Sequence, residues 1–111
     1  DVSDGLASEI IHICEASDKG CKLYEEKIPL DSMTYETARE FGLDPTVCAL
    51  NGGEDYELLF TIPQSDYDKI KGSMDITIIG HITQPSEGCQ MIAKSGKVYP
   101  ITAQGWNAFK D

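Results

Sequence analysis

The sequence contains no apolar run near the roughly 20 residues that cross a bilayer. No basic stretch followed by an apolar one opens it, so no signal peptide is expected. Positive charge is scarce: nine Lys and Arg stand against 19 Asp and Glu, for a net charge of −10. Such a surface repels nucleic-acid phosphates and anionic lipid, so neither nucleic acid nor membrane is an expected partner. The acid excess suits divalent cations, although its commonest effect is solubility. There are only two histidines, and neither has the carboxylate or serine spacing of a catalytic group. His12 reads as a helix-surface or packing residue and His81 as a strand residue. The four cysteines, at 14, 21, 48 and 89, show no C-x-x-C spacing, and no His pair completes a zinc pattern. Cys14, on an apolar helix face, and Cys48, in "TVCAL", read as small buried hydrophobes with free thiols. A chain of 111 residues can bury a core without disulfides, so a reducing cytoplasm is the expected compartment.

What is present is the length and apolar content of one compact domain spanning 1–111. "SDGLASEIIHICEASDKG" reads as one helix with Ser3 or Asp4 as cap, because Leu6, Ile10, Ile13 and Cys14 fall at helical spacing. "CKLYEEKIP" reads as a strand. "MTYETAREFG" reads as a short helix and "TVCAL" as a further turn or two. "YELLFTIP" is a strand whose apolar face is Tyr56, Leu58, Phe60 and Ile62. "SDYDKIKGS" is a short helix capped by Ser65 or Asp66, and "ITIIGHIT" a β-branched strand. "CQMIAK" and "KVYPIT" pair as a hairpin across Ser95 and Gly96, and "GWNAFK" closes the chain with a turn or short helix. Helices interleaved with strands and a late hairpin predict an α+β domain, a mixed sheet layered with helices.

Two acidic stretches carry the chemistry. In "DVSDG", Asp1 and Asp4 flank Ser3 at the start of the first helix. A helix N-terminus attracts anions through its free N–H groups and dipole. Carboxylates there can hold Mg²⁺, which prefers oxygen ligands and keeps waters for substrate phosphates. Ser and Asp are also the ordinary N-cap residues, so capping is the competing reading. An EF-hand is excluded, since Gly5 comes too early and the position of the bidentate Glu is His12. In "NGGEDYE", Gly52 and Gly53 allow close backbone approach, and Glu54 and Asp55 stand at the mouth of a strand. A tight turn with solvated acids is the competing reading there. Trp106 is either a core plug or an aromatic wall for a flat heterocycle.

Taken together, "DVSDGLASEIIHICEAS", "ALNGGEDYELLFTIP", "IGHIT" and "GWNAF" resemble the C-terminal half of the bacterial thiamine-monophosphate kinase family, in the same order. The first motif occurs more widely in the aminoimidazole-ribonucleotide-synthase superfamily, whereas "GGEDYEL" is the kinase-specific one. The resemblance implies the superfamily's C-terminal fold and a preceding domain that carries most of the ATP- and metal-binding surface. It implies a homodimer formed through that N-terminal domain. It also implies transfer of the ATP γ-phosphoryl group to thiamine monophosphate, giving thiamine diphosphate without a phospho-enzyme. By family pattern Asp1 and Asp4 would bind Mg²⁺, Ser3 would contact ATP, and Glu54 and Trp106 would contact the thiamine substrate. No role carries onto Asp55. The isolated chain is expected to fold but not to turn over. Two alternatives stand beside this reading: a non-catalytic acidic binding module, and another ATP-dependent enzyme of the superfamily, against which "GGEDYEL" argues.

Overall fold

A computed structural model describes residues 2–29, 34–37, 46–52, 56–102 and 105; the side chains of Val2, Ser3, Asp4 and Thr37 lie outside that description. The chain is α+β, as expected: helix α1 (Val2–Ser17) lies on a mixed seven-stranded sheet. The strands are β1 (Gly20–Tyr24), β2 (Thr34–Thr37), β3 (Thr46–Asn51), β4 (Tyr56–Ile62), β5 (Ile76–Thr83), β6 (Cys89–Ile92) and β7 (Val98–Pro100). Their order across the sheet is β2-β4-β3-β5-β1-β6-β7. β2 with β4 and β1 with β6 are parallel, and the other neighbours are antiparallel. Among the described residues, no helix is long and apolar enough to cross a membrane.

Helix α1 buries the stripe its spacing predicts: Leu6, Ala7, Ile10, Ile13 and Cys14. It begins at Val2, so Ser3 and Asp4 sit in the first turn rather than at the cap. It stops earlier than Gly20 would have set. Asp18 adopts a left-handed φ of 55°, which short polar side chains tolerate. The Lys19 N–H then donates to the Cys14 carbonyl at 2.9 Å, satisfying one of the helix's end carbonyls. Two residues later the chain is in β1, whose Cys21 and Leu23 join the core.

Three sequence expectations fail. "MTYETAREFG" is not a helix where it is described: Thr34–Thr37 is β2, its Tyr35 buried beneath α1 and its register set by parallel pairing with β4. "TVCAL" is strand β3, fully paired on both sides, with Thr46 through Ala49 buried. A short apolar run cannot be told from a buried helix by periodicity, and tertiary pairing decided it. In β4 the faces are exchanged. Of the expected face only Ile62 is buried; Glu57, Leu59 and Thr61 are buried, while Tyr56, Leu58 and Phe60 are only half-buried on the face away from α1. That face carries Leu50 from β3 and Ile76 and Ile78 from β5, register neighbours of the β4 row.

The remaining elements match with small changes. "SDYDKIKGS" begins with a 3₁₀ turn, Gln64–Asp66, and becomes the short helix α2 (Tyr67–Ile70) without a side-chain cap bond. "CKLYEEKIP" ends its strand at Tyr24 and passes into a 3₁₀ turn, Glu25–Lys27. β5 and the β6–β7 hairpin follow the expected residues, with Gly96 at φ 93° in the turn. "GWNAFK" lies outside the described residues except for Gly105, which bridges to Thr102.

Candidate functional site

The backbone carries the first acidic stretch toward the β2 side of the sheet. The C-terminal end of α1 runs directly into β1 and packs beside β6. The helix also packs on β2, four strand positions from β1. That separation is about 19 Å at ~4.8 Å per strand, and a 16-residue helix is about 24 Å long. The part of α1 that reaches β2 is therefore its N-terminal part, where Ser3 and Asp4 lie. Strand β4 starts at Tyr56, beside Thr34 of the edge strand β2. The first turn of α1 thus offers its free N–H groups and positive dipole end on the β2 side of the sheet, and a helix start of this kind attracts anions.

The side chains expected to act there are not all within reach of description. Asp1, Glu54, Asp55 and Trp106 lie outside the described residues, as do the side chains of Ser3 and Asp4. One neighbouring detail is clear. Gly52 keeps a negative φ, and a Cβ at that position would stand 2.6 Å from the Tyr56 ring. The Gly52 N–H donates to the Tyr56 carbonyl at 3.3 Å. At Gly52 the room left by the missing side chain is filled by the protein's own tyrosine rather than by a ligand.

A second feature is a cleft of about 710 Å³ on the sheet face opposite α1. Gly80 is among its lining residues; a Cβ there would collide with the Lys22 carbonyl and Leu23 of β1, so the glycine lets β5 pack closely against β1. The Tyr24 hydroxyl and His81 Nδ1 are 3.4 Å apart across β1 and β5, and Lys27 Nζ stands 5.6 Å from the centre of the Tyr24 ring. Tyr67 and Asp68 of α2 complete the rim. His81, read from sequence as a plain strand residue, is one of its polar groups.

A third feature was not foreseen. Cys14 of α1, Cys21 of β1 and Cys89 of β6 converge, their three Sγ atoms all within 4.8 Å of one another. Cys14 and Cys21 are buried and Cys89 is half-buried, and all are free thiols. Side-chain hydrogen bonding with Cys14 and Cys89, together with burial, pushes the Cys21 pKa well above the ordinary thiol range. Hydrogen bonding with Cys21 lowers Cys14, but its bond to Cys89 and its burial outweigh that, and it is pushed up to about 12. Cys89 accepts from both and is lowered to about 4. The spacing of the three in sequence gives no sign of this, because the parallel pairing of β1 with β6 creates it.

The fold is that of an α+β domain, with the first acidic stretch opening the helix that covers its mixed sheet. Comparison with known proteins gives that domain a family. The chain is similar over almost its whole length to thiamine-monophosphate kinases. It is 37% identical to that of Pyrococcus horikoshii over 110 residues, covering 99% of the chain. It is 34% identical to that of Aquifex aeolicus over 109 residues and 34% identical to that of Escherichia coli K12 over 119 aligned positions, each covering 98% of the chain. The chain is thus a relative of the thiamine-monophosphate kinases, and it spans about a third of the length of those proteins: 33% of the first two and 34% of the third. No protein-family model and no solved structure matches it.

Proposed function

We propose that this chain is the C-terminal substrate- and metal-binding part of a kinase that transfers the ATP γ-phosphoryl group to thiamine monophosphate, giving thiamine diphosphate. The observation that carries this is the similarity to kinases of that name along 99% of the chain. The placement of the first turn of α1 toward the β2 side of the sheet supports it from the fold.

Phosphoryl transfer depends on positioning and charge neutralisation more than on a strong base. Both reactants are anionic, so carboxylates near them help only by holding cations. Asp1 and Asp4 offer the hard oxygen donors that Mg²⁺ prefers, which makes them a fitting pair of ligands. When bound, the ion would neutralise phosphate charge. The N–H groups of the first turn of α1 bind and orient phosphate oxygens, with Ser3 on the ATP. Glu54 and Trp106 hold thiamine monophosphate: the carboxylate faces the thiazolium cation or an aminopyrimidine donor, and the indole packs on a ring.

In this reading the other part of the protein supplies further metal ligands, most of the nucleotide surface and the homodimer contact. The chain alone is folded and silent. The four free thiols suit a reducing cytoplasm. A coupled assay with ATP, Mg²⁺ and thiamine monophosphate tests the proposal. The full-length protein forms thiamine diphosphate and the 111-residue chain does not. Absence of turnover by the full-length protein overturns the activity, and turnover by the chain alone overturns the division of labour.

A further inference from the structure

The structure assigns a thiophilic-cation site to Cys14, Cys21 and Cys89, most suited to Zn²⁺, at the seam where α1 meets β1 and β6. This site is separate from the acidic edge and does not depend on the kinase reading.

The geometry comes first. A tetrahedral zinc with Zn–S bonds of about 2.3 Å holds its sulfurs about 3.8 Å apart. The three Sγ atoms are already gathered within 4.8 Å of one another, so each must move less than about 1 Å to close on a common ion. The ligands come from three elements whose backbones are fixed independently. The Cys14 carbonyl accepts the Lys19 N–H at the end of α1. The Cys21 N–H donates to the Gly88 carbonyl at 3.0 Å, and the Cys89 carbonyl accepts the Ile101 N–H at 2.9 Å. Cys21 and Cys89 are also direct register partners on parallel strands, which puts both side chains on the same face, beneath α1.

Chemistry narrows the class. Three soft sulfur donors without hard oxygen donors select zinc or copper(I) and discriminate against magnesium, the cation expected at the acidic edge. All three sulfurs bind as thiolates. Zn²⁺ with three thiolates leaves one net negative charge, and Cu⁺ leaves two. With Cys14 and Cys21 buried, the smaller residual charge is less costly to hold, which favours zinc. Cys89 is half-buried, so the fourth position opens toward solvent and admits a water. The competing account is that three small sulfur side chains only fill the helix–sheet seam, as buried free cysteines commonly do.

The test uses the full-length protein, stripped of metal and kept reduced. Titration with Co²⁺ reads the sulfur-to-cobalt charge-transfer band, and Zn²⁺ affinity is read by competition with a chromophoric chelator. The expected result is one thiolate-bound Co²⁺ per chain, displaced by Zn²⁺. The band is lost in Cys89→Ala and Cys21→Ala and kept in Cys48→Ala. Zinc affinity falls by more than about 100-fold in the first two, since even groups behind the ligands cost 10–100-fold. Far-UV circular dichroism establishes that each variant is folded, and half-buried Cys89 makes that variant the tolerant one. A rise in melting temperature with Zn²⁺ in wild type but not in Cys89→Ala supports the site. No charge-transfer band, or a band that survives Cys89→Ala, overturns it. Tight Cu⁺ binding without Zn²⁺ binding overturns the zinc assignment.

Discussion

The Tyr56 ring packs on the backbone of Gly52, its Cε2 2.6 Å from where a Cβ would stand. The glycine is therefore needed for a packing reason just before the "GED" segment. Gly52→Ala pushes the ring away and lowers stability by about 1–3 kcal/mol, the usual cost of overpacking. The double variant Gly52→Ala/Tyr56→Ala removes the collision, so its loss is smaller than the sum of the two single losses. Urea unfolding of the four proteins measures this. Strict additivity would mean that ring and backbone do not compete for the same space.

Cys48 makes a prediction about alkaline pH. It is fully buried in β3, opposite Phe60 of β4 and Ile78 of β5, and burial pushes its thiol up to about 11. A thiol in the unfolded chain titrates near 8.5, so the folded state holds the proton more tightly. The resulting stability is complete below the unfolded value and is lost as pH rises toward about 11. The total is up to about 3 kcal/mol, at 1.36 kcal/mol per pKa unit. Lys, Tyr and the other thiols titrate nearby, so the informative quantity is a difference. Cys48→Ala is less stable than wild type at pH 7, and the two denaturation midpoints converge between pH 9 and 11. Parallel curves would rule out Cys48 as a source of the alkaline loss.

How much of this was legible in the sequence depends on whether a residue's fate is local. Helix α1 was readable because Leu6, Ile10, Ile13 and Cys14 recur with its period, and the β6–β7 hairpin because Gly96 marks its turn. β2 and β3 were misread because "TYET" and "TVCAL" are too short for periodicity to separate strand from helix. Their state is fixed by β4, which pairs with both. The exchanged faces of β4 have the same origin. Its larger apolar row of Tyr56, Leu58 and Phe60 meets the sheet face away from α1, so hydrophobicity alone named the wrong side. The cysteine cluster needs the β1–β6 pairing, which no local pattern encodes. The acidic motifs were legible as motifs, and the sheet order adds only that α1's first turn lies toward β2, the strand that pairs with β4.

Asp4 separates metal holding from helix stabilisation. It lies in the first turn of α1, where a negative charge complements the dipole. As a dipole partner alone, it is worth about 0.3–1 kcal/mol, and Asp4→Asn loses that stability with an unchanged rate. As a Mg²⁺ ligand in the full-length kinase, its loss lowers kcat by about 100-fold or more, on the scale of removing one group that stabilises transition-state charge. Steady-state kinetics across a Mg²⁺ titration, with Tm measured beside it, distinguishes the two. The expected outcome is a large rate loss with a small Tm change. A normal kcat at saturating Mg²⁺ would remove Asp4 from the metal site.

Glu54 and Trp106 test which substrate the acidic edge serves. Glu54 lies two residues before β4, outside the strand's own register. Thiamine monophosphate carries a cationic ring, and contacts of that cation with a carboxylate or an indole are each worth about 0.5–2 kcal/mol. Glu54→Gln and Trp106→Ala in the full-length protein therefore raise the KM for thiamine monophosphate by up to about 30-fold, at 1.4 kcal/mol per factor of ten. The KM for ATP stays nearly constant. Tm supplies the control, because a tryptophan that only plugs the core costs about 3–5 kcal/mol when truncated. A sharp fall in Tm with both KM values unchanged would make Trp106 a core residue. A change confined to the ATP KM in Glu54→Gln would move that carboxylate to the nucleotide side, leaving thiamine recognition to groups beyond these two.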